Sequence, residues 1–257
     1  MVQNSCKIQI VQKLHHILQN FIDTILKIAI LSDLHGNIEA FEQVLIKAQN
    51  EGISKFLFLG DYIGYYYWPE KVLDLLFTLD FICIQGNHER ILKGLINGEI
   101  DKQAILNLYG SGHEYALSKL NNEQIDFLIN LPVSLSVDID GCQFQLCHGS
   151  PIDTDEYIYP DNSIDSFNKC NVPQVDFVLI GHSHYQFIHR NADSLLVNVG
   201  SVGQSRSTGG LAQWAMVNTR SKSVQLMSTP YDSSELIKQS TQIDFKIPYL
   251  REVLTRK

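Results

Sequence analysis

The 257-residue chain carries no surplus of positive charge: 20 lysines and arginines against 28 acidic residues give a formal net charge of -8. That balance gives no general pull toward nucleic acid or anionic lipid, so a long DNA or RNA footprint is not expected. No apolar run approaches the twenty or so residues that a membrane-spanning helix requires, so no transmembrane segment is expected. Cysteine is sparse, and Cys6, Cys83, Cys142, Cys147 and Cys170 form an odd set without a Cys-x-x-Cys pair. Such a set fits a reducing compartment, and the expected location is cytoplasmic. No internal repeat, low-complexity tract or linker divides the chain. What is plentiful is apolar side chain, 44% of the residues, enough to bury a substantial core.

Residues 1–26 place Val11, Leu14, Leu18, Phe21, Ile22 and Ile25 at helical spacing. Polar residues interrupt the stripe and no small-residue cleavage site follows, so an amphipathic helical extension describes it better than a signal peptide. With only Lys7, Lys13 and Lys27 as cations, the helix is expected to pack on the domain or between subunits of a homo-oligomer rather than on a membrane surface. A translation start at Leu26 stays open, because Leu26-Lys27-Ile28-Ala29-Ile30 reads like the natural beginning of a first strand. The expected division is therefore 1–26 as extension and 27–257 as the functional domain.

Within the domain, short apolar runs alternate with helical periodicity three times: Lys27 to Ser32 then Ile38 to Asn50, Phe56 to Leu59 then Pro69 to Leu79, and Phe81 to Ile84 then His88 to Ile96. Three successive βα units imply a parallel sheet with its ligand site beyond the carboxyl ends of the strands. Helices are expected over Ser111 to Lys119 and Asn121 to Asn130. The second half turns β-rich, with runs at Val133 to Asp138, Gln143 to His148, Phe177 to Ile180, Tyr185 to Arg190, Leu195 to Val199, Ala212 to Asn218 and Ser223 to Ser228. Asp140-Gly141 marks a hairpin between the first two. The polar stretch from Pro151 to Pro173 follows a histidine cluster closely enough to act as a lid. The economical architecture is α/β: two facing mixed sheets flanked by helices, a four-layer α/β/β/α sandwich.

Five of the nine histidines fall in short clusters at predicted strand ends: Asp33-Leu34-His35, Gly86-Asn87-His88-Glu89, His148-Gly149 and Gly181-His182-Ser183-His184, with Gly60-Asp61 between the first two. Carboxylate, amide oxygen and neutral imidazole suit hard-to-borderline divalent ions, and two ions can share a bridging carboxylate about 3.5–4 Å apart. Asp61 is the candidate bridge. Asp33 with His35, and His182 with His184, sit two residues apart, so on an extended strand end each pair faces one side. One cluster alone is weak, since His-x-His pairs are common surface features. The ordered set of five is specific. Alternation points Cys147 away from His148, as a packed residue.

This series resembles the calcineurin-like metallophosphoesterases, and more closely the small bacterial and archaeal phosphodiesterases of that superfamily. The similarity runs from about Lys27 to the C-terminus and includes Asn198-Val199-Gly200-Ser201-Val202-Gly203. The resemblance implies one metal held by Asp33, His35, Asp61 and His184, and another held by Asp61, Asn87, His148 and His182. It implies a metal-bridging hydroxide that attacks phosphorus, with His88 binding the phosphate or protonating the leaving oxygen. Asn87 and His88 would also contact the substrate. Manganese is the expected metal, with iron, zinc or nickel compatible with the same ligands.

Glu89 is expected either to contact His88 or to form a surface ion pair. Arg90 and Arg206 are candidates for a second phosphate contact, though each also reads as an exposed arginine. The run Tyr62, Tyr65, Tyr66, Tyr67 and Trp68 could stack a nucleobase or pack under a loop. His15, His16, His113 and His189 read as ordinary residues. The expected activity is hydrolysis of a phosphodiester in a small, nucleotide-like substrate. The alternatives are a dinucleoside polyphosphate hydrolase, a serine/threonine protein phosphatase and a catalytically silent scaffold. The protein phosphatases resemble a pattern with an arginine soon after Gly-Asp, where this chain has Tyr62-Ile63-Gly64-Tyr65.

Overall fold

Alternation along the first strand, β1 (Lys27–Leu31), sorts its side chains between two cores: Ile28 and Ile30 join one, Ala29 and Leu31 the other. The same sorting recurs in β2 (Lys55–Phe58), where Leu57 faces the first core and Phe56 and Phe58 the second. Period-two alternation with both faces apolar is what a strand buried on both sides requires. The computed structural model describes residues 26–257; the amphipathic stripe expected over 1–26, with His15 and His16, lies outside them.

The three expected βα units are present: β1, α1 (Ile38–Asn50), β2, α2 (Pro69–Leu76), β3 (Asp80–Cys83) and α3 (Asn87–Asn97). β1 pairs parallel with β2, and β2 with β3. α4 (Lys102–Tyr109), α5 (Gly112–Lys119) and α6 (Asn122–Ile129) follow. α4 was not expected. Ile105, Leu108 and Tyr109 stand at helical spacing and Asp101 caps the helix by accepting from the Gln103 N–H, but only Ile105 is buried and Leu108 is exposed. α2 stops at Leu76, three residues short of the expectation, where the Thr78 hydroxyl bonds the Leu75 carbonyl.

The second sheet begins with β4 (Ser134–Ile139) and β5 (Cys142–Cys147). Asp140 (φ 53°) and Gly141 (φ 74°) join them, the left-handed pair a tight two-residue hairpin demands. Next come α7 (Ile164–Lys169), β6 (Phe177–Ile180), β7 (Gln186–Arg190), β8 (Leu195–Val199), β9 (Leu211–Asn218) and β10 (Ser223–Pro230). The sheets run in the orders β10-β9-β1-β2-β3 and β4-β5-β6-β8-β7, so the last hairpin returns to pair antiparallel with β1.

Three apolar clusters make the layers. Ile28, Ile30 and Leu57 meet Phe144, Phe177 and Val197 between the sheets. Phe41, Phe58, Leu73, Trp214 and residues of the C-terminal helices α8 (Ser234–Ile243) and α9 (Tyr249–Glu252) fill the outer face of the first sheet. Cys147, Val178 and Leu196 pack under Phe167 of α7 on the outer face of the second. The result is the expected α/β/β/α sandwich, with the fourth layer reduced to one short helix and a loop. Cys147 points into that outer cluster, away from His148, as alternation required.

Trp214 is fully buried, with its indole N–H donating to Thr229 Oγ1 at 2.9 Å. Trp214→Ala should cost about 3–5 kcal/mol. Urea unfolding measures it, and a loss under about 1 kcal/mol would show that the helix-side core does not depend on this ring.

Candidate metal centre

Asp33, His35, Asp61, His182 and His184 adopt left-handed backbone, with φ of 56°, 51°, 58°, 63° and 62°. A non-glycine residue there costs on the order of 1–2 kcal/mol, so five such residues at strand ends must be held by their surroundings. Backbone bonds tie the loops together: the Asp33 N–H donates to the Gly60 carbonyl and the His35 N–H to the Asp61 carbonyl, each at 3.0 Å. Val202 and Gly203 donate to the carbonyls of Ser32 and Asp33, which brings the segment after β8 against the end of β1. Gly60 is required by contact as well as by its φ of 100°, because a Cβ there would lie 2.3 Å from the Gly86 nitrogen.

Three imidazoles are fixed by backbone carbonyls: His35 Nδ1 lies 3.0 Å from the Ile63 oxygen, His148 Nδ1 2.7 Å from that of Leu59, and His184 Nδ1 2.7 Å from that of Gln204. Each Nδ1 therefore donates, leaving the Nε2 lone pairs to point into the site. They meet other acceptors. His184 Nε2 stands 3.1 Å from both Asp33 Oδ1 and His35 Nε2. His148 Nε2 stands 3.2 Å from Asp61 Oδ2 and 3.1 Å from Asn87 Oδ1. Asp33 Oδ1 is buried without a hydrogen-bond donor.

Lone pairs facing lone pairs in a water-poor pocket repel unless positive charge sits between them. Three groups of donors, Asp33 with His35 and His184, Asp61 with His148 and His182, and His35 with Asp61 and His88, each lie within 4.8 Å of one another. Asp61 faces the first group as well, since its Oδ2 is 3.8 Å from His35 Nε2. The residues fit divalent cations in number, chemistry and spacing. His182 directs Nε2 to the Asp155 carbonyl at 3.2 Å, which leaves Nδ1 as its lone-pair nitrogen.

The electrostatics agree. Burial alone would raise the Asp33 and Asp61 carboxyls, yet both are held below the ordinary range, Asp33 by His184 and His35, and Asp61 by His148 and His88. Burial disfavours charge on His148, but Asp61 more than offsets it and pushes the imidazole up to about 9. Burial, with Arg206 nearby, takes His184 down to about 4. Without a metal the balancing charge beside Asp61 is a proton on His148, which a divalent cation would displace.

α3 begins at the site, and its first residues diverge. Asn87 Oδ1 faces His148, and the His88 N–H donates to Asp61 Oδ1 at 2.9 Å while its Nε2 lies 3.9 Å from Asp61 Oδ2. Glu89 corrects both expectations, since it forms neither a His88 contact nor a surface ion pair. It is fully buried, and its two oxygens accept from the backbone N–H groups of Asp61 and Tyr62 at 2.9 Å and Gly86 at 2.8 Å. Consecutive helical residues point about 100° apart, so Glu89 turns back to the helix start, as the third residue of a capping box does. Burial and the Asp61 charge push its carboxyl up to about 7, against the pull of those N–H groups.

The aromatic run packs rather than stacks a ligand. Tyr62, Tyr66 and Tyr67 are buried, and their hydroxyls donate to the carbonyls of Ile84 and Leu250 and to the Asp244 carboxylate. Tyr65 alone reaches the site, with its ring 4.6 Å from His35 and 5.0 Å from His88. Arg90 donates to the Gly86 carbonyl and pairs with the Asp155 carboxylate. Arg206 is part-buried beside Tyr65 OH at 3.4 Å, and its Nε has no partner.

Three residues near the site were not foreseen. Tyr157, in the polar stretch after His148, lays its ring 3.9 Å from that of His182. Tyr109 packs edge-on against His88 at 4.8 Å, and His113 stacks on His88. Only the closeness of the polar stretch to His148 gave any signal for Tyr157. His189, also read as ordinary, sits on β7 and stacks on Phe167, away from these ligands.

Fold and donor set together define the metallophosphoesterase class of α/β/β/α proteins. Residues 26–222 match the calcineurin-like phosphoesterase superfamily domain, and the chain belongs to that superfamily. It is 29% identical over 225 residues to an uncharacterized protein of Methanocaldococcus jannaschii, covering 80% of this chain and 88% of that one. In fold it is similar to a hypothetical protein from Pyrococcus horikoshii OT3, with TM-score 0.76 and 21% identity over 90% of this chain and 98% of that one. It is likewise similar to a metallophosphoesterase from Sphaerobacter thermophilus, with TM-score 0.71, 24% identity and the same coverage of 90% and 98%.

Glu89→Ala should destabilise the protein by about 3 kcal/mol or more, because it strands three buried N–H groups. Chemical denaturation checks this, and a change under about 1 kcal/mol would contradict the clamp.

Proposed function

We propose that the chain is a dimetal phosphodiesterase acting on a small, nucleotide-like phosphodiester. The observation that carries this reading is the convergence of the His35, His148 and His184 Nε2 atoms on the Asp33 and Asp61 carboxylates. Asp33, His35, Asp61 and His184 would hold one ion, and Asp61, Asn87, His148 and His182 the other. Two divalent ions, when bound, supply an activated water and neutralise charge on the phosphoryl oxygens. Oxygen and nitrogen ligands in this mixture suit manganese, with iron, zinc and nickel as competitors.

His88 is the proposed acid. It is buried beside Asp61, its Nε2 faces that carboxylate, and although it lies within ligand reach of His35 and Asp61 it belongs to neither proposed ligand set. To protonate the leaving oxygen this imidazole must hold its proton against burial, which lowers its pKa well below the usual range, with Asp61 pulling the other way. Arg206, close enough to His184 to lower its pKa, would supply a cation to a phosphoryl oxygen.

A cleft of about 350 Å³ adjoins the ligands Asn87 and His182, lined by Tyr109, Tyr157 and Ile91 and by the Arg90–Asp155 pair. Its one arginine is neutralised by Asp155, so the cleft offers an aromatic, uncharged wall. That favours a diester whose second group is a nucleoside or aryl alcohol over a chain of phosphates. The unpartnered Arg206 nitrogen is what favours the second reading, a dinucleoside polyphosphate hydrolase, because it could take one further phosphate. The presence of every proposed ligand and of His88 argues against a silent scaffold. The unpaired cysteine pattern supports a reducing, cytoplasmic setting.

Asp61→Asn should lower both bound metal and turnover of bis-p-nitrophenyl phosphate; metal analysis at full occupancy would remove Asp61 as the bridge. His88→Ala should keep its metals and lose turnover by roughly 10² or more. Unchanged kinetics in that variant would take His88 out of the chemistry.

A further inference from the structure

His35, His148 and His184 are each oriented by a carbonyl on Nδ1, but His88 has no such tether: its Nδ1 is buried without a hydrogen-bond partner. Packing alone must set its ring plane. One edge is closed by Gly64, where a Cβ would come within 2.1 Å of His88 Nδ1. The rings of His35 and Tyr109 meet it steeply, at interplanar angles of 71° and 65°, and Tyr65 at 44°. The contact that matches its plane is His113, with centroids 5.0 Å apart and planes 10° apart.

We propose that His113 is a positioning residue, a plate that holds the His88 imidazole in the plane from which Nε2 reaches the leaving oxygen. The inference rests on the phosphodiesterase reading given above. His113 is 1% exposed, and the one polar group that pulls on its ring is the His88 backbone, so both its stacking and its polar contact are with His88. The residue is placed by α5, whose first residue, Gly112, approaches so closely that a Cβ would sit 2.4 Å from the Tyr65 nitrogen. Behind it lies an apolar void of about 10 Å³ beside Leu95, Ile105 and Leu117, too small to admit substrate. His113 therefore acts through His88.

The test uses the full chain loaded with manganese, with His113→Ala and His113→Phe, on aryl methyl phosphates whose leaving groups run from p-nitrophenol to phenol. A good leaving group needs little protonation and a poor one needs much. In His113→Ala, kcat for the phenol ester should fall at least about 10-fold more than kcat for the p-nitrophenol ester, with KM and bound metal unchanged. His113→Phe, which keeps the flat face, should retain the parental dependence. In proton–nitrogen spectra of the imidazole region, the His88 ring should give one set of signals in the parent and in His113→Phe, and broadened or doubled signals in His113→Ala. A uniform loss across the series, unaltered His88 signals or loss of metal in His113→Ala would overturn the proposal. A steep dependence in His113→Phe as well would overturn it by assigning the role to a ring nitrogen. Absence of metal-stimulated turnover in the parent on any phosphoester would instead bring down the functional reading on which the proposal stands.

Discussion

Two buried carboxylates, Asp33 and Asp61, face imidazole nitrogens that have already given their protons' direction to backbone carbonyls. That arrangement of acceptor against acceptor is the constraint around which the site is organised. In water such groups would turn apart. Here the strand ends hold them at about 3.1–3.2 Å, and only positive charge brings that geometry to a minimum. Bound cations would therefore stabilise the folded chain as well as equip it for hydrolysis.

The remainder of the site serves to keep that convergence in place. Five left-handed residues aim side chains that an ordinary strand end would splay. Glu89 gathers the N–H groups of Asp61, Tyr62 and Gly86 and so locks the second loop onto the start of α3. The aromatic residues Tyr62, Tyr66 and Tyr67 fill the space beneath the loop and spend their hydroxyls on internal partners. Strain near the ligands is thus offset by hydrogen bonds and burial a few residues away.

What the sequence revealed were the features encoded locally. Strand, glycine turn and helix follow one another in the first three units, so periodicity located the elements, and the proposed ligands sit in the turns themselves. The hairpin at Asp140-Gly141 and the outward Cys147 followed from the same short-range rules. What escaped depends on direction or on distance along the chain. The burial of Glu89 follows from where a helix sends its third side chain, which residue order does not display. His113 meets His88 across 25 residues, and Tyr157 meets His182 across 25. Arg90 and Arg206 were visible as cations, but only the structure separates the one neutralised by Asp155 from the one with a bare nitrogen.

The central claim is that the two carboxylates and their imidazoles form a site for a pair of cations. Calorimetric titration of chelator-stripped protein with manganese, with metal content of the product measured independently, tests it most directly. The account predicts two ions per chain, accompanied by proton release and a rise in thermal stability. Binding of no ion, or of a single ion with the second set of donors left unaffected, would contradict it.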